Sequence, residues 1–396
     1  MAERARWTTP SELRLQLERR WKSGDLLRGE LAFPLQLSLR APDAKALRDE
    51  FDAVRDWIRA LESGSKAAVG LGYDIVWTEI NHRQLGRNRF PKAVVFEQRI
   101  DALAALRVEK QVRRFERAAQ VTSDSFAELA PWVSQRPFSL LEHEAEWPRI
   151  LKVLHWMKEH PRPGVYLRQL EIPGVDTKFI EANKSLLAEL LDLILPADAI
   201  HSDAHPLRQF EQRYGLSAKP ALVRFRCLDP SLQLGPLDDV STPAAQFAQL
   251  RLPIANVFVT ENEINGLAFP QCPRSIVVFG LGYGLTRLAE IPWLHETDVY
   301  YWGDVDTHGF AMLSRLRGHL PHAKSFLMDR QTLELHQPLW SVEASPYLGE
   351  LTLLTTVEAT LFEELRSQRL GVGVRLEQER IAYAWVRQAI AALGVF

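Results

Sequence analysis

The sequence contains few of the residues that mark exported, membrane-spanning or zinc-binding proteins. Cys227 and Cys272 are the only cysteines among 396 residues, so no disulfide framework or zinc-ligand spacing is present and two reduced structural thiols are expected. No run approaches the ~18 consecutive apolar residues of a transmembrane helix, and the segment Met1–Trp7 lacks the apolar core of a signal peptide. We therefore expect a cytoplasmic protein that does not contact a membrane.

The sequence also lacks a large excess of positive or negative residues, and its net charge at pH 7 is −2. The balance is nevertheless uneven: residues 1–120 carry 23 Lys and Arg against 17 Asp and Glu, and the remainder carries 25 against 33. This asymmetry fits a protein that contacts a polyanion with one part and holds cations with another, although a solvated surface explains it equally well. A net charge near zero predicts weak DNA affinity alone, and hence recruitment by a partner.

The length of the chain predicts two or three domains, and we divide it into residues 1–120, 121–245 and 246–396. The first two regions are mostly helical, with a β-rich segment near residues 73–98. In the third, apolar runs alternate with helical segments, which predicts a parallel sheet covered on both faces. The fold class expected is an α/β C-terminal domain after a mostly α, α+β N-terminal region. The predicted strands span residues 254–260, 275–281, 298–303 and 323–328.

The strongest functional signal is an apolar, aromatic run that ends in Asp304 and Asp306. Carboxylates at the carboxyl end of a buried strand lie where open α/β sheets bind ligands, and hard oxygen groups suit Mg²⁺ or Mn²⁺ better than Zn²⁺. An earlier predicted strand ends in Glu261, or in Glu263 if that strand runs longer. Parallel strand ends share one edge, so the three carboxylates should meet there, and a divalent cation would relieve their repulsion.

An apolar strand ending in Glu, followed later by a strand ending in Asp-x-Asp, resembles the Toprim fold of topoisomerases, DnaG-type primases and old-family nucleases. Further segments resemble the JetD subunits of bacterial Wadjet defence systems. This resemblance implies a relative of the topoisomerase VI A subunit, in which a Toprim-like domain follows a winged-helix-like region and an N-terminal arm. The segments that carry the resemblance are residues 168–181, 210–215, 223–230, 302–309 and 375–379.

The resemblance also implies an activity and its partners. It implies a Mg²⁺- or Mn²⁺-dependent endonuclease that cleaves double-stranded plasmid DNA within a condensin-like SMC ATPase complex and forms a homodimer. Asp304 and Asp306 would be metal ligands, and Glu261 a ligand or general acid/base. Glu377 and Glu379 match the family's acidic C-terminal motif; they could complete a second metal position or simply begin a charged helix.

Tyrosine chemistry is not indicated by the sequence. Enzymes of the topoisomerase VI type use a nucleophilic tyrosine, but spacing marks none of the eight tyrosines here, including Tyr166 and Tyr214 in the relevant region. The resemblance to JetD-like proteins implies hydrolysis by a metal-activated water instead.

Several arginines are candidate DNA contacts. They lie in a basic loop near residues 82–92, on a helix predicted over 101–121, and on a strand near 222–227, where phosphate binding competes with an ion pair to Asp229. His308, after the Asp pair, could contact a phosphate or cap the following helix. The candidate arginines are Arg83, Arg87, Arg113, Arg114, Arg224 and Arg226.

Two other functions fit parts of the sequence. Residues 304–307 also match the D-x-D-x-T motif of haloacid-dehalogenase-like phosphatases, in which Asp304 would act. That family needs the motif on its first core strand and a downstream lysine, yet most of the α/β region lies upstream and Lys324 is the only later lysine. A non-catalytic DNA-binding or scaffold subunit of the same complex is the second alternative, which the intact carboxylate set disfavours.

Overall fold

Amphipathic helices dominate the first half of the chain, and the second half alternates helices with strands whose central members are mostly apolar. The computed structural model describes residues 6–82, 86–280, 285, 288 and 290–394, with backbone alone for residues 80–82 and 86–88. The chain divides into two compact units, Met1–Ala218 and Lys219–Phe396. No described helix is long and apolar enough to cross a membrane. The finer division at residues 120 and 245 stays a prediction.

The first unit is largely helical and contains one antiparallel sheet. Strand β1 (Leu35–Ser38) pairs with β3 (Gly86–Phe96), which pairs in turn with β2 (Asp74–His82). With the exception of the short α5, the helices bury apolar residues in one core. They are α1 (Pro10–Lys22), α2 (Asp25–Arg28), α3 (Ala44–Asp49), α4 (Phe51–Ser63), α5 (Lys66–Val69), α6 (Arg99–Leu106), α7 (Glu109–Ser125), α8 (Ala130–Gln135), α9 (Pro137–Glu142), α10 (Trp147–Glu159), α11 (Thr177–Ala182), α12 (Lys184–Ile194) and α13 (Phe210–Arg213).

The helix predicted over residues 101–121 is two helices. Arg107 adopts a left-handed conformation with φ of 62° and ends α6, after which α7 begins. Val112, Phe115 and Ala118 bury one side of α7 at helical spacing. Its arginines therefore lie on the opposite, solvent-facing side.

The second unit is built around a six-stranded sheet in the order β5-β4-β7-β6-β8-β9. The central strands β6 and β7 are buried at every position, because helices and connecting segments cover both faces. A short pair, β10 and β11, lies apart from this sheet. The strands are β4 (Leu222–Cys227), β5 (Asp239–Pro243), β6 (Asn256–Thr260), β7 (Ser275–Phe279), β8 (Asp298–Trp302), β9 (Lys324–Ser325), β10 (Ser341–Val342) and β11 (Val374–Arg375). The helices are α14 (Ala244–Phe247), α15 (Glu263–Ala268), α16 (Thr307–Arg317), α17 (Arg330–Leu335), α18 (Thr356–Arg366) and α19 (Tyr383–Ala392).

The predicted parallel sheet is confirmed for β6 to β9, which pair in parallel. The sequence did not reveal that β4 joins the same sheet antiparallel to both β5 and β7. The fourth predicted strand is shorter than expected: only Lys324 and Ser325 pair, and Leu327 turns the backbone with φ of 58°.

The register of β6 and β8 explains why residues far apart in the sequence meet. Strands β6 and β8 are parallel neighbours, and Thr260 pairs with Trp302 at their carboxyl ends. The residues that follow, Glu261 and the segment beginning at Gly303, therefore leave the sheet side by side at one edge.

Candidate metal centre

Asp306 occupies the N-terminal end of α16. Its Oδ1 accepts a hydrogen bond from the Gly309 N–H at 2.7 Å, so Asp306 is the N-cap residue of the helix. The side chain is almost fully buried. Burial, together with the nearby carboxylates of Glu343 and Asp304, raises the pKa of Asp306 to about 6, although the Gly309 N–H opposes this rise.

The glycine three residues later is required by close packing. A Cβ atom added at Gly309 would lie 2.1 Å from the carbonyl oxygen of Asp304 and 3.3 Å from Met328 Cε. The first turn of α16 thus lies directly on the backbone that carries Asp304. The sequence Asp-Val-Asp-Thr-His-Gly is therefore one compact turn that positions both carboxylates.

Glu261 lies beside this turn and accepts a hydrogen bond from a buried tyrosine. The Tyr301 hydroxyl donates to Glu261 Oε1, and Tyr301 itself has no exposed surface. Burial raises the pKa of Glu261 above its ordinary value, and the Tyr301 hydrogen bond partly counteracts this. Glu261, Asp304 and Asp306 line one cavity of about 450 Å³.

A segment near the carboxyl end of the chain completes the site. Leu376 exchanges two backbone hydrogen bonds with Val305, of 2.9 and 3.1 Å, and so runs antiparallel to the Asp turn. This pairing places Arg375 between the carboxylates: its guanidinium is 2.5 Å from Asp304 Oδ2 and 3.2 Å from Asp306 Oδ2. The Gln378 N–H also donates to Asp304 Oδ1 at 3.0 Å.

The carboxylates have the oxygen donors that a hard divalent cation prefers, but in this structure they are not arranged around a single point as metal ligands are. Within the described residues, no three His, Cys, Asp or Glu side chains are arranged to share one metal ion. The charge of Arg375 stands among the carboxylates instead, and its buried Nε makes no hydrogen bond of good geometry, even to Asp306. The carboxylate oxygens are the donors that Mg²⁺ and Mn²⁺ prefer.

Glu343 is a member of this site that sequence reasoning missed. It is 6% exposed and lines the same cavity. Its carboxylate accepts hydrogen bonds from the Thr307 hydroxyl at 2.8 Å and from the backbone N–H groups of Thr307 and His308 at 3.2 and 3.3 Å. Glu343 therefore binds the N-terminal end of α16, where negative charge is favoured.

Glu377 and Glu379 line a second cavity of about 230 Å³. It adjoins the first cavity, and Glu261, Asp304 and Arg375 line both. Glu377 pairs with Arg380 at 2.8 Å and lies 3.8 Å from Arg375. Glu379 accepts a hydrogen bond from Asn262 at 2.5 Å. Both are thus close enough to contribute oxygens beside the first site. Glu263, the alternative ligand, pairs instead with Arg224.

The candidate DNA-binding arginines have different environments. Arg83 and the side chain of Arg87 lie outside the described residues. Arg113 lines an open basic cavity on α7 together with Arg114, which also pairs with Glu144 at 2.9 Å. The exposed basic side of α7 therefore stays a candidate polyanion surface.

The two arginines of β4 pair with acidic residues at the start of the neighbouring strand β5 and just before it. Arg224 pairs with Asp239 at 2.7 Å and Arg226 with Asp238 at 3.3 Å. The ion pair suggested with Asp229 is wrong, because Asp229 accepts hydrogen bonds from the backbone of Ser231 and Arg274. The counter-ions are instead the first residue of β5, the residue before it and, for Arg224, also Glu263.

His308 and the two tyrosines mentioned above occupy ordinary environments. His308 Nε2 lies 2.8 Å from the Ser345 carbonyl oxygen at the mouth of the cavity. Tyr214 is buried and its hydroxyl bonds to Asp192 at 2.8 Å and to the Ala188 carbonyl oxygen at 3.0 Å. Tyr166 is exposed, and both tyrosines belong to the first unit, whereas the carboxylates belong to the second.

Comparison with known families now identifies the chain. Residues 215–390, which contain the whole acidic site, match the family described as Wadjet protein JetD, C-terminal. Residues 10–192 match an N-terminal domain family described as an uncharacterized protein conserved in bacteria, DUF3322. The chain belongs to the Wadjet JetD family. A comparison with curated proteins finds no match. Family membership confirms the resemblance seen in the sequence and implies a subunit of a Wadjet defence system.

Proposed function

We propose that the second unit is a Toprim-like, metal-dependent DNA endonuclease. The observation that carries this proposal is the convergence of Glu261, Asp304 and Asp306 on one cavity, from the carboxyl ends of adjacent parallel strands. Phosphodiester hydrolysis needs a cation that neutralises developing charge and generates a nucleophile, and these oxygens suit Mg²⁺ or Mn²⁺.

Under this proposal the three carboxylates hold the cation, which when bound lowers the pKa of a water molecule and polarises the phosphate. The protein orients its ligands through the contacts described above. Gly309 fixes Asp306, the Gln378 N–H fixes one oxygen of Asp304, and Tyr301 fixes Glu261. Glu261, whose pKa burial raises above its ordinary value, is the candidate for a general acid or base if it does not bind the cation directly. Glu377 and Glu379 are available for a second cation in the adjoining cavity.

Membership of the Wadjet JetD family supports the rest of the assignment. We infer that the chain acts on double-stranded plasmid DNA with a condensin-like SMC ATPase complex, as a homodimer. The DNA contacts proposed are the basic side of α7, with Arg113 and Arg114, and the loop that carries Arg83 and Arg87. A winged-helix-like region between residues 121 and 245 belongs to the same proposal.

The phosphatase alternative lacks support in the second unit. Lys324 would have to approach Asp304, but its ammonium group lies 2.7 Å from Asp298, at the opposite end of β8. The distance along the strand separates the lysine from the carboxylate cavity. A scaffold role without catalysis remains the alternative that the following experiment tests.

The test is linearisation of circular plasmid DNA by the full chain with its partner complex, in Mg²⁺ and in EDTA. We expect Asp304→Ala to abolish cleavage, whereas Asp298→Ala, at the other end of the same strand, should leave cleavage intact. Cleavage that persists in Asp304→Ala would contradict the proposed site. If no protein cleaves while all of them bind the partner complex, the scaffold function is favoured.

A further inference from the structure

Arg375 stands among the carboxylates that would hold the cation. Its guanidinium lies 2.5 Å from Asp304 Oδ2, 3.2 Å from Asp306 Oδ2 and 3.8 Å from Glu377 Oε1. Two of these three carboxylates are proposed metal ligands, and the third is a candidate for the second position. A single positive charge thus faces several negative ones across a partly buried cavity.

The backbone holds Arg375 firmly in this place. Arg375 pairs with Ser341 in the antiparallel strands β10 and β11, and the next residue, Leu376, forms the two-way bridge to Val305. The only freedom left to the guanidinium is therefore that of its own side chain, which is about one-third exposed. Rotation of the side chain into the cavity mouth requires no change of fold.

The guanidinium and a divalent cation would compete for the same carboxylate oxygens. Mg²⁺ binds carboxylate oxygens at about 2.1 Å, and the Asp304 and Asp306 Oδ2 atoms are the ones that Arg375 contacts. A cation at that distance from both oxygens would lie within a few ångströms of the guanidinium, where like charges repel strongly. Binding of the metal at these oxygens is therefore favoured when Arg375 withdraws from at least one of them.

We propose that Arg375 is a built-in counter-ion that stabilises the metal-free centre and competes with the divalent cation for Asp304 and Asp306. The proposal rests on the proposed function, because it takes these carboxylates as the metal ligands. Under this proposal, the metal affinity is set by the free-energy difference between two states of the carboxylate cluster. In one state Arg375 neutralises the carboxylates, and in the other the metal does. Arg375 would thus set the concentration of divalent cation at which the site is half occupied.

The test compares Mn²⁺ binding, followed by the loss of the free-ion electron paramagnetic resonance signal, in the wild-type chain and in Arg375→Gln. The variant should bind Mn²⁺ roughly tenfold more tightly, since removing a competing charge interaction of ordinary strength changes an equilibrium by about that factor. Its metal-free melting temperature should fall, and added Mn²⁺ should restore it by more than in the wild type.

Two further variants separate this role from a structural one. Arg366→Gln, which removes an arginine paired with Glu363 on α18, should leave Mn²⁺ affinity unchanged. Arg375→Lys keeps the charge but loses the forked geometry, so its affinity should lie between those of the wild type and Arg375→Gln. This variant also carries the test if Arg375→Gln does not fold.

The outcomes distinguish the two proposals. Equal or weaker Mn²⁺ binding by the Arg375 variants, with wild-type binding that depends on Asp304, would overturn the counter-ion role and leave the metal centre standing. Absence of Mn²⁺ binding in the wild type and in both Arg375 variants would overturn both. Tighter binding in Arg375→Gln, with Arg366→Gln unchanged, supports both.

Discussion

Replacement of Tyr301 by phenylalanine removes a single oxygen atom and tests whether Glu261 is a working ligand. The side chain is fully buried in strand β8, so the ring remains packed and only the hydroxyl that donates to Glu261 is lost. Because that hydrogen bond lowers the pKa of Glu261 against the effect of burial, the pKa should rise further in the variant.

The size of the effect follows from the kind of bond. A hydrogen bond to a charged group contributes about 1.5–3 kcal/mol, and about 1.4 kcal/mol corresponds to a tenfold change in affinity. Loss of a group that orients a metal ligand typically weakens binding ~10–100-fold. We therefore expect Mn²⁺ affinity to fall by ~10-fold or more in Tyr301→Phe. The difference in Mn²⁺ affinity between the wild type and Tyr301→Phe should grow as the pH is lowered, because a protonated Glu261 cannot bind the cation.

The assay is a Mn²⁺ titration of both proteins at several pH values, with Tyr300→Phe as the matched control. Tyr300 is the preceding residue, is also buried, and its side chain points to the other face of the sheet, where it stacks on Phe258. Tyr300→Phe should bind Mn²⁺ as the wild type does. Equal affinities for Tyr301→Phe and the wild type across the pH series would refute the role assigned to Glu261.

Two further predictions concern the packing of the second unit. Gly309→Ala should destabilise the protein in urea unfolding, because overpacking against the Asp304 carbonyl, at about 1–3 kcal/mol, outweighs the ~1 kcal/mol gained in helix propensity; unchanged or higher stability would contradict the close contact. Burial alone would raise the pKa of Glu358, but the buried ion pair with Arg317 lowers it to about 2 from 4.5. A lowered pKa contributes stability that is complete above about pH 4.5 and is lost as the pH falls towards 2, so Glu358→Gln should cost about 3 kcal/mol at pH 7 and much less at pH 2.5. A difference in unfolding free energy between the wild type and Glu358→Gln that does not change with pH would show that the charge of Glu358 does not stabilise the protein.

The meeting of Glu261 with Asp304 and Asp306 could be anticipated because it depends on a simple rule. Glu261 and the Asp pair each follow a mostly apolar strand, and parallel strands end at the same edge of a sheet. That β6 and β8 are also neighbours, which brings these carboxylates side by side, came from the structure. The close approach of Gly309 to the Asp304 carbonyl was not predicted, because it depends on the packing of α16 against the preceding backbone. The metal itself stays a prediction.

Arg375 and Glu343 could not be assigned to the site in this way. Their positions depend on the bridge between Val305 and Leu376 and on the two-residue strands β10 and β11, and neither is long enough to leave an alternating pattern in the sequence. Arg375 does begin one of the segments that resemble the family, which was the available signal. Nothing in the surroundings of Glu343 in the sequence marks it as buried.

The counter-ions of β4 were missed for a related reason. Arg224 and Arg226 were expected to alternate on a strand, which is correct. Their partners Asp239, at the start of β5, and Asp238, just before it, depend on the pairing of β5 with β4, which the sequence did not predict. Cross-strand neighbours are set by register, and register depends on the whole sheet.

The most direct test of the account is the anomalous scattering of Mn²⁺ in a crystal of the full chain. The account predicts a peak about 2.1–2.2 Å from carboxylate oxygens of Asp304 and Asp306, with Glu261 in direct or water-mediated contact and the Arg375 guanidinium turned away from at least one of the aspartates. A crystal grown in saturating Mn²⁺ that shows no peak at these carboxylates, with Arg375 still bridging the two aspartates, would contradict it.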